Sequence, residues 1–75
     1  MNISDVMIHI NETLSDAART SLEDTMRNVE GVISPRFNAG KEHLLMIAFD
    51  PAKTSAAVLL DKTRRAGYTA QLIGM

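Results

Sequence analysis

Two histidines, five methionines and a short run of oxygen-bearing side chains are the residues of this 75-residue chain that could hold an ion. His9 lies in Val6-Met7-Ile8-His9-Ile10, two residues after Met7, and Met46 lies in a second apolar run, His43 to Phe49. Imidazole and thioether are acceptable copper ligands, so His9, Met7 and Met46 make one candidate set for a weakly held copper or zinc ion. The plainer reading is a strand surface on which Met fills space. His43 opens its own run, and the sequence offers no reason to pair it with His9. Asn11, Glu12, Ser15 and Asp16 could offer oxygens to a hard cation. They lack the alternating ligand spacing of a dedicated calcium loop and read more simply as a solvated loop and a helix cap.

Catalysis finds little support. Neither histidine stands near a nucleophile or acid motif, and Ser15 has no nucleophile-elbow context. Glu23, Asp24 and Asp61 read as solvated helical surface, while Lys62, Arg64 and Arg65 complement the C-terminal end of a helix dipole. The chain has no cysteine, which excludes disulfides, thiolate nucleophiles, zinc ribbons and iron–sulfur clusters. An enzyme is not expected.

These residues must be positioned by one small domain, residues 1–75, because the length leaves no room for a second. Hydrophobic residues make up 45% of the chain, enough for a packed core. Eight basic against nine acidic side chains leave a net charge of −1, which is no footprint for nucleic acid. Phe37, Phe49 and Tyr68 are the only aromatics and make no base-stacking platform. No apolar run reaches membrane-spanning length, and Met1-Asn2-Ile3-Ser4-Asp5 does not resemble a leader, so a cytoplasmic location is expected.

Val6–Ile10 reads as a first strand. Ser15 caps a helix whose apolar stripe is Ala18, Leu22, Met26 and Val29, with Gly31 as its left-handed end. Val32–Phe37 and His43–Phe49 read as a hairpin joined by Asn38–Glu42, with Pro35 marking an edge strand. Thr54 or Ser55 caps a second helix in which Val58, Leu59, the Lys62 stem and Ala66 cover one side. Gly67 stops it, and Tyr68–Ile73 is the last strand. The order βαββαβ predicts an α+β, ferredoxin-like fold: a four-stranded antiparallel sheet with both helices on one face.

Gly31-Val32, Phe49-Asp50-Pro51 and Ala66-Gly67-Tyr68-Thr69-Ala70, in that order, resemble the heavy-metal-associated domains. Copper chaperones, mercury-binding proteins and the N-terminal modules of metal-transporting P-type ATPases carry such domains. The resemblance runs from Val6 to Ile73. It implies a metal loop after the first strand, where that family carries Met-x-Cys-x-x-Cys. Aligned through Gly31, the methionine position falls on Thr13 and the two cysteine positions on Ser15 and Ala18. Tyr68 keeps the place of the loop that faces the site. A hydroxyl and a methyl do not replace two thiolates for a soft ion. The resemblance therefore implies a degenerate domain with no thiolate metal site and no resident cofactor.

Strand alternation gives the other face of the sheet a role. With Ile8, Ile10, Leu45, Ile47 and Phe49 inward, Met7, His9, Leu44, Met46 and Ala48 point to the open side. Gln71 and Ile73 join them if Ala70 and Leu72 point inward. Met7, His9, Leu44, Met46 and Ile73 then form an interaction face, since contiguous exposed apolar area marks interfaces and Met suits adaptable ones. The expected function is a small protein-interaction module. Its partner would be a second copy, giving a homodimer, or a protein of a metal-handling or membrane-transport system. The competing expectation is a metal carrier using His9, Met7 and Met46, or the Glu12–Asp16 loop.

Overall fold

The structure, a computed structural model, describes residues 2–73. Its elements run β1 (Ser4–Ile10), α1 (Asp16–Arg27), β2 (Val32–Asn38), β3 (Lys41–Phe49), α2 (Ala56–Arg65) and β4 (Ala70–Leu72). The four strands form one sheet in the order β2-β3-β1-β4, with every neighbouring pair antiparallel. Alternation along β1 buries Val6, Ile8 and Ile10, and the register sets Val6 against Ile47 and Ile8 against Leu45. Leu22 and Met26 of α1 and Leu59 of α2 join these residues in a single core cluster. Both helices therefore cover the same face, and the opposite face is left open. This is the α+β, ferredoxin-like arrangement expected from the element order.

Local chemistry sets the boundaries. The Ala18 amide donates to Ser15 Oγ at 3.1 Å, and the Val58 amide donates to Ser55 Oγ at 3.3 Å. Each serine satisfies one orphan donor in its first helical turn, which makes Ser55 rather than Thr54 the cap of α2. Helix α1 stops at Arg27, with Asn28 donating to the Asp24 carbonyl, so Gly31 is not its cap. Gly31 instead adopts φ +96° in the turn into β2 and accepts from the Asp50 amide at 2.7 Å. A Cβ there would stand 2.8 Å from Lys53 Cβ. Val29, expected in the α1 stripe, lies past the helix end but still meets the core. Gly67 does end α2, with φ +104° and its amide donating to the Arg64 carbonyl at 3.0 Å.

The buried side of α2 is Leu59 and Thr63, flanked by half-buried Ala56 and Leu60. Val58, Lys62 and Ala66 are exposed, so the expected α2 stripe is rotated from the real one. Thr63 lies inside because its hydroxyl donates to the Leu59 carbonyl at 3.0 Å, which leaves its methyl for the core. The hairpin is tighter than expected: Asn38 pairs with Lys41 across Ala39-Gly40, and β3 begins at Lys41 rather than His43. β2 is an edge, as Pro35 requires. β4 is shorter than Tyr68–Ile73, because Thr69 is held by the loop after β1 rather than by the ladder.

Candidate functional site

The loop after β1 is closed upon itself. Leu14 is buried beneath it, and Arg19 reaches back from α1 to the Leu14 carbonyl at 2.7 Å while pairing with Asp16. The Asn11 amide donates to the Thr69 carbonyl at 2.9 Å. In return the Thr69 amide donates to the two Glu12 carboxylate oxygens at 2.9 and 3.1 Å. That backbone donor holds the Glu12 carboxyl below the usual carboxylate range. Glu12 is thus exposed, as a solvated loop residue would be, and also a clamp between the two loops. The oxygens proposed for a hard cation are engaged, Glu12 by an amide and Asp16 by a guanidinium. Among the described residues, no group of three or more His, Cys, Asp or Glu side chains is arranged to hold a metal.

The positions that the resemblance aligns with metal ligands, Thr13, Ser15 and Ala18, lie on this loop and the start of α1. Thr13 is exposed, Ser15 is the helix cap, and Ala18 is half-buried against the core. Ser15 Oγ and the Ala18 amide meet, so positions 15 and 18 do come together at the start of α1. Their side chains, a hydroxyl spent on capping and a methyl, do not suit a soft ion. Tyr68 is half-buried against the core cluster, in the connection before β4.

The open face forms as its alternation requires. Met7 pairs directly with Met46 and His9 with Leu44, while Ala48 stands opposite Asp5. Ile73 extends the pairing of β4 by donating its amide to the Met7 carbonyl at 2.9 Å, which brings it beside Met7. Met7, His9, Leu44, Met46, Ala48 and Ile73 are all half-buried. Asp5, Arg36 and Gln71 border them as exposed polar side chains. The Met46 sulfur accepts from the Asn38 carboxamide at 3.1 Å, which turns it toward β2. Leu72 has the inward parity expected of it, opposite Ile8, yet it is 41% exposed because β4 is a three-residue edge.

Besides the Glu12–Thr69 clamp, two relationships escaped the sequence. His43 does meet His9: the rings lie 5.9 Å apart between centroids with 19° between their planes. The β1–β3 ladder ends at His9–Leu44, and just beyond it His43 Nδ1 reaches the Ile10 carbonyl at 2.7 Å. The His9–Leu44 register sets His43 opposite Ile10, on the other parity from His9, so strand alternation gave no signal for this meeting. Glu23, expected to be solvated, instead accepts from the Phe37 amide at 2.9 Å, so an amide of the edge strand finds its partner on α1. Asp24 and Asp61 do behave as helical surface, paired with Arg27 at 2.6 Å and Arg65 at 2.7 Å. Arg64 donates to the Ala70 carbonyl at 3.0 Å and ties the end of α2 to β4.

No protein-family model and no curated protein sequence matches the chain. Solved structures do. Oxidized MerP from Ralstonia metallidurans CH34 superposes with a TM-score of 0.82 at 24% identity, covering 95% of this chain and 97% of that one. The Cu(I)-loaded N-terminal domain of a potential copper-translocating P-type ATPase from Bacillus subtilis gives a TM-score of 0.83 at 20% identity, covering 95% and 88%. The apo copper chaperone of Enterococcus hirae gives 0.79 at 19% identity, covering 91% and 98%. At these identities the likeness concerns architecture: this chain has the ferredoxin-like fold of heavy-metal-associated domains, and it has it without a cysteine.

Proposed function

We propose that the chain is a protein-interaction module built on the heavy-metal-associated scaffold, with the soft-ion thiolate site given up and the open sheet face used for docking. The observation that carries this reading is the direct Met7–Met46 pair at the centre of that face, continued by Leu44, Ala48 and Ile73. Thioethers and small aliphatic groups on a rigid sheet make an adaptable apolar surface. Each square ångström covered there contributes roughly 25 cal/mol before the cost of association. The polar border of Asp5, Arg36 and Gln71 would set orientation more than affinity.

A second copy of the chain is the first partner to test, because its own open face offers the same surface. Sedimentation of the purified chain over a wide concentration range, with chelator present, should show reversible self-association. NMR shifts on dilution should fall on Met7, His9, Leu44, Met46 and Ile73. A monomer at every concentration, with those resonances fixed when candidate metal-transport proteins are added, would count against docking through this face.

A further inference from the structure

We infer that the Glu23–Phe37 bond is an autoinhibitory contact: α1 uses the Glu23 carboxylate to close the β2 edge against pairing with the β2 edge of a second copy. Arg64 of α2 closes the opposite edge, at β4, in the same manner.

The direction of the backbone groups follows from the ladder. Successive residues of an antiparallel strand turn their amides and carbonyls to opposite sides, so an edge strand aims every second residue away from the sheet. β1 bonds to β4 through its odd-numbered residues: the Ile73 amide donates to the Met7 carbonyl and the Asn11 amide to the Thr69 carbonyl. The even-numbered residues of β1 therefore face β3, opposite Leu45, Ile47 and Phe49. That leaves Met46 and Ala48 to bond β2, through Arg36 and Ser34. Pro35 and Phe37 are then the outward positions of β2. Proline has no amide hydrogen. The Phe37 amide donates to Glu23 Oε2 at 2.9 Å. Neither position has a donor left for an incoming strand.

β4 shows the same device with the charges reversed. By the same alternation the Ala70 and Leu72 backbone groups turn outward, and Arg64 Nε donates to the Ala70 carbonyl at 3.0 Å. An anion thus occupies an outward donor and a cation an outward acceptor, both in charge-assisted bonds. The two edges differ in what lies behind the guard. β4 has three residues, too few to template much pairing. β2 has seven, with Ile33 47% exposed on it, so an unguarded β2 is the edge at risk. Its occupant is a second copy, since each chain would bring the same apolar edge to an antiparallel pair. None of this depends on docking through the open face.

The test uses the full chain, isotope-labelled and followed by amide hydrogen exchange. In wild type the Phe37 amide should be protected although it points away from the sheet. At low concentration Glu23→Ala should speed its exchange by about tenfold or more, while Glu23→Gln, which keeps an acceptor oxygen, stays near wild type. At high concentration the Ala variant should form oligomers or thioflavin-binding fibres in which the outward β2 amides regain protection. Wild type and the Gln variant should not. An unprotected Phe37 amide in wild type would overturn the guard, and that measurement decides alone if the Ala variant does not fold. A folded Ala variant with unchanged Phe37 exchange, or with no pairing through β2 at high concentration, would overturn it too. Docking through the open face protects no outward β2 amide, so the two readings fail separately.

Discussion

Glu12 and Thr69 lie 57 residues apart in the chain, and the Thr69 amide donates to both oxygens of the Glu12 carboxylate. This clamp, with the reciprocal bond from the Asn11 amide to the Thr69 carbonyl, fastens the loop after β1 to the connection before β4. It is the ionised carboxylate that the amide favours, which is why the Glu12 carboxyl lies below its ordinary range. A carboxyl depressed in the folded state contributes stability above its unfolded value and loses that contribution as pH falls through the folded one. Urea unfolding of wild type and Glu12→Gln should therefore differ most near about pH 7, and the difference should shrink as pH falls below the ordinary glutamate range. A difference that stays constant across this range would show that Glu12 acts only through packing.

Gly31 is the second constraint on the same scaffold. Its φ of +96° and the 2.8 Å approach of Lys53 Cβ leave no room for a side chain. The neighbour is a β-carbon held close to its backbone and cannot swing aside. Gly31→Ala should cost roughly 1–3 kcal/mol. In a domain of this size each kcal/mol lowers Tm by about 4–8 °C. Thermal unfolding by circular dichroism checks this; Gly40→Ala is the control, since a Cβ there meets nothing within 4 Å though its φ is also positive.

The order of elements was legible because strand alternation and capping are local. Ser15, Pro35 and Gly67 each do in the fold what their chemistry dictates in the sequence. Parity along β1 and β3 also placed Met7, His9, Leu44 and Met46 on the open face. What escaped depends on partners distant in sequence. The α2 stripe was misplaced because hydropathy favours Val58 over Thr63, and only a hydroxyl bond to the Leu59 carbonyl makes Thr63 a core residue. Gly31 has the positive φ of a cap, but its constraint comes from Lys53 and not from α1, which no local pattern reveals. The His9–His43 approach and the Glu12 clamp require register across strands and loops, which hydrophobic periodicity does not carry.

Met46 offers a direct trial of the docking face. Its backbone is fixed by pairing with Met7 and Arg36, while its side chain is half-buried on the open side. Met46→Glu adds a charge to that surface and leaves the core untouched. If the face mediates association, covering it would strand an unpaired carboxylate, a cost on the order of several kcal/mol. The variant should sediment as a monomer at concentrations where wild type associates, with backbone spectra unchanged. Association as strong as wild type would move the interface elsewhere on the molecule.

Positions 15 and 18 flank the start of α1, where the resemblance aligns a thiolate pair that these side chains do not supply. Ser15 Oγ accepts from the Ala18 backbone amide at 3.1 Å, so positions 15 and 18 adjoin at the N-terminus of α1. A thiol there is acidified by the helix dipole and by the free amides of the first turn. Ser15→Cys with Ala18→Cys should therefore create a Cu(I) site of one ion per chain. It would be seen as an ultraviolet thiolate-to-metal band absent from wild type and weak in either single variant. Losing the Ser15 hydroxyl costs about 1 kcal/mol of helix stability, part of which a thiolate accepting the Ala18 amide restores. The double variant should thus be less stable than wild type without copper and regain stability with it. Failure to take up Cu(I), with both thiols reduced and the fold intact, would mean that the Glu12–Thr69 and Arg19–Asp16 ties hold the loop in a shape that excludes the ion.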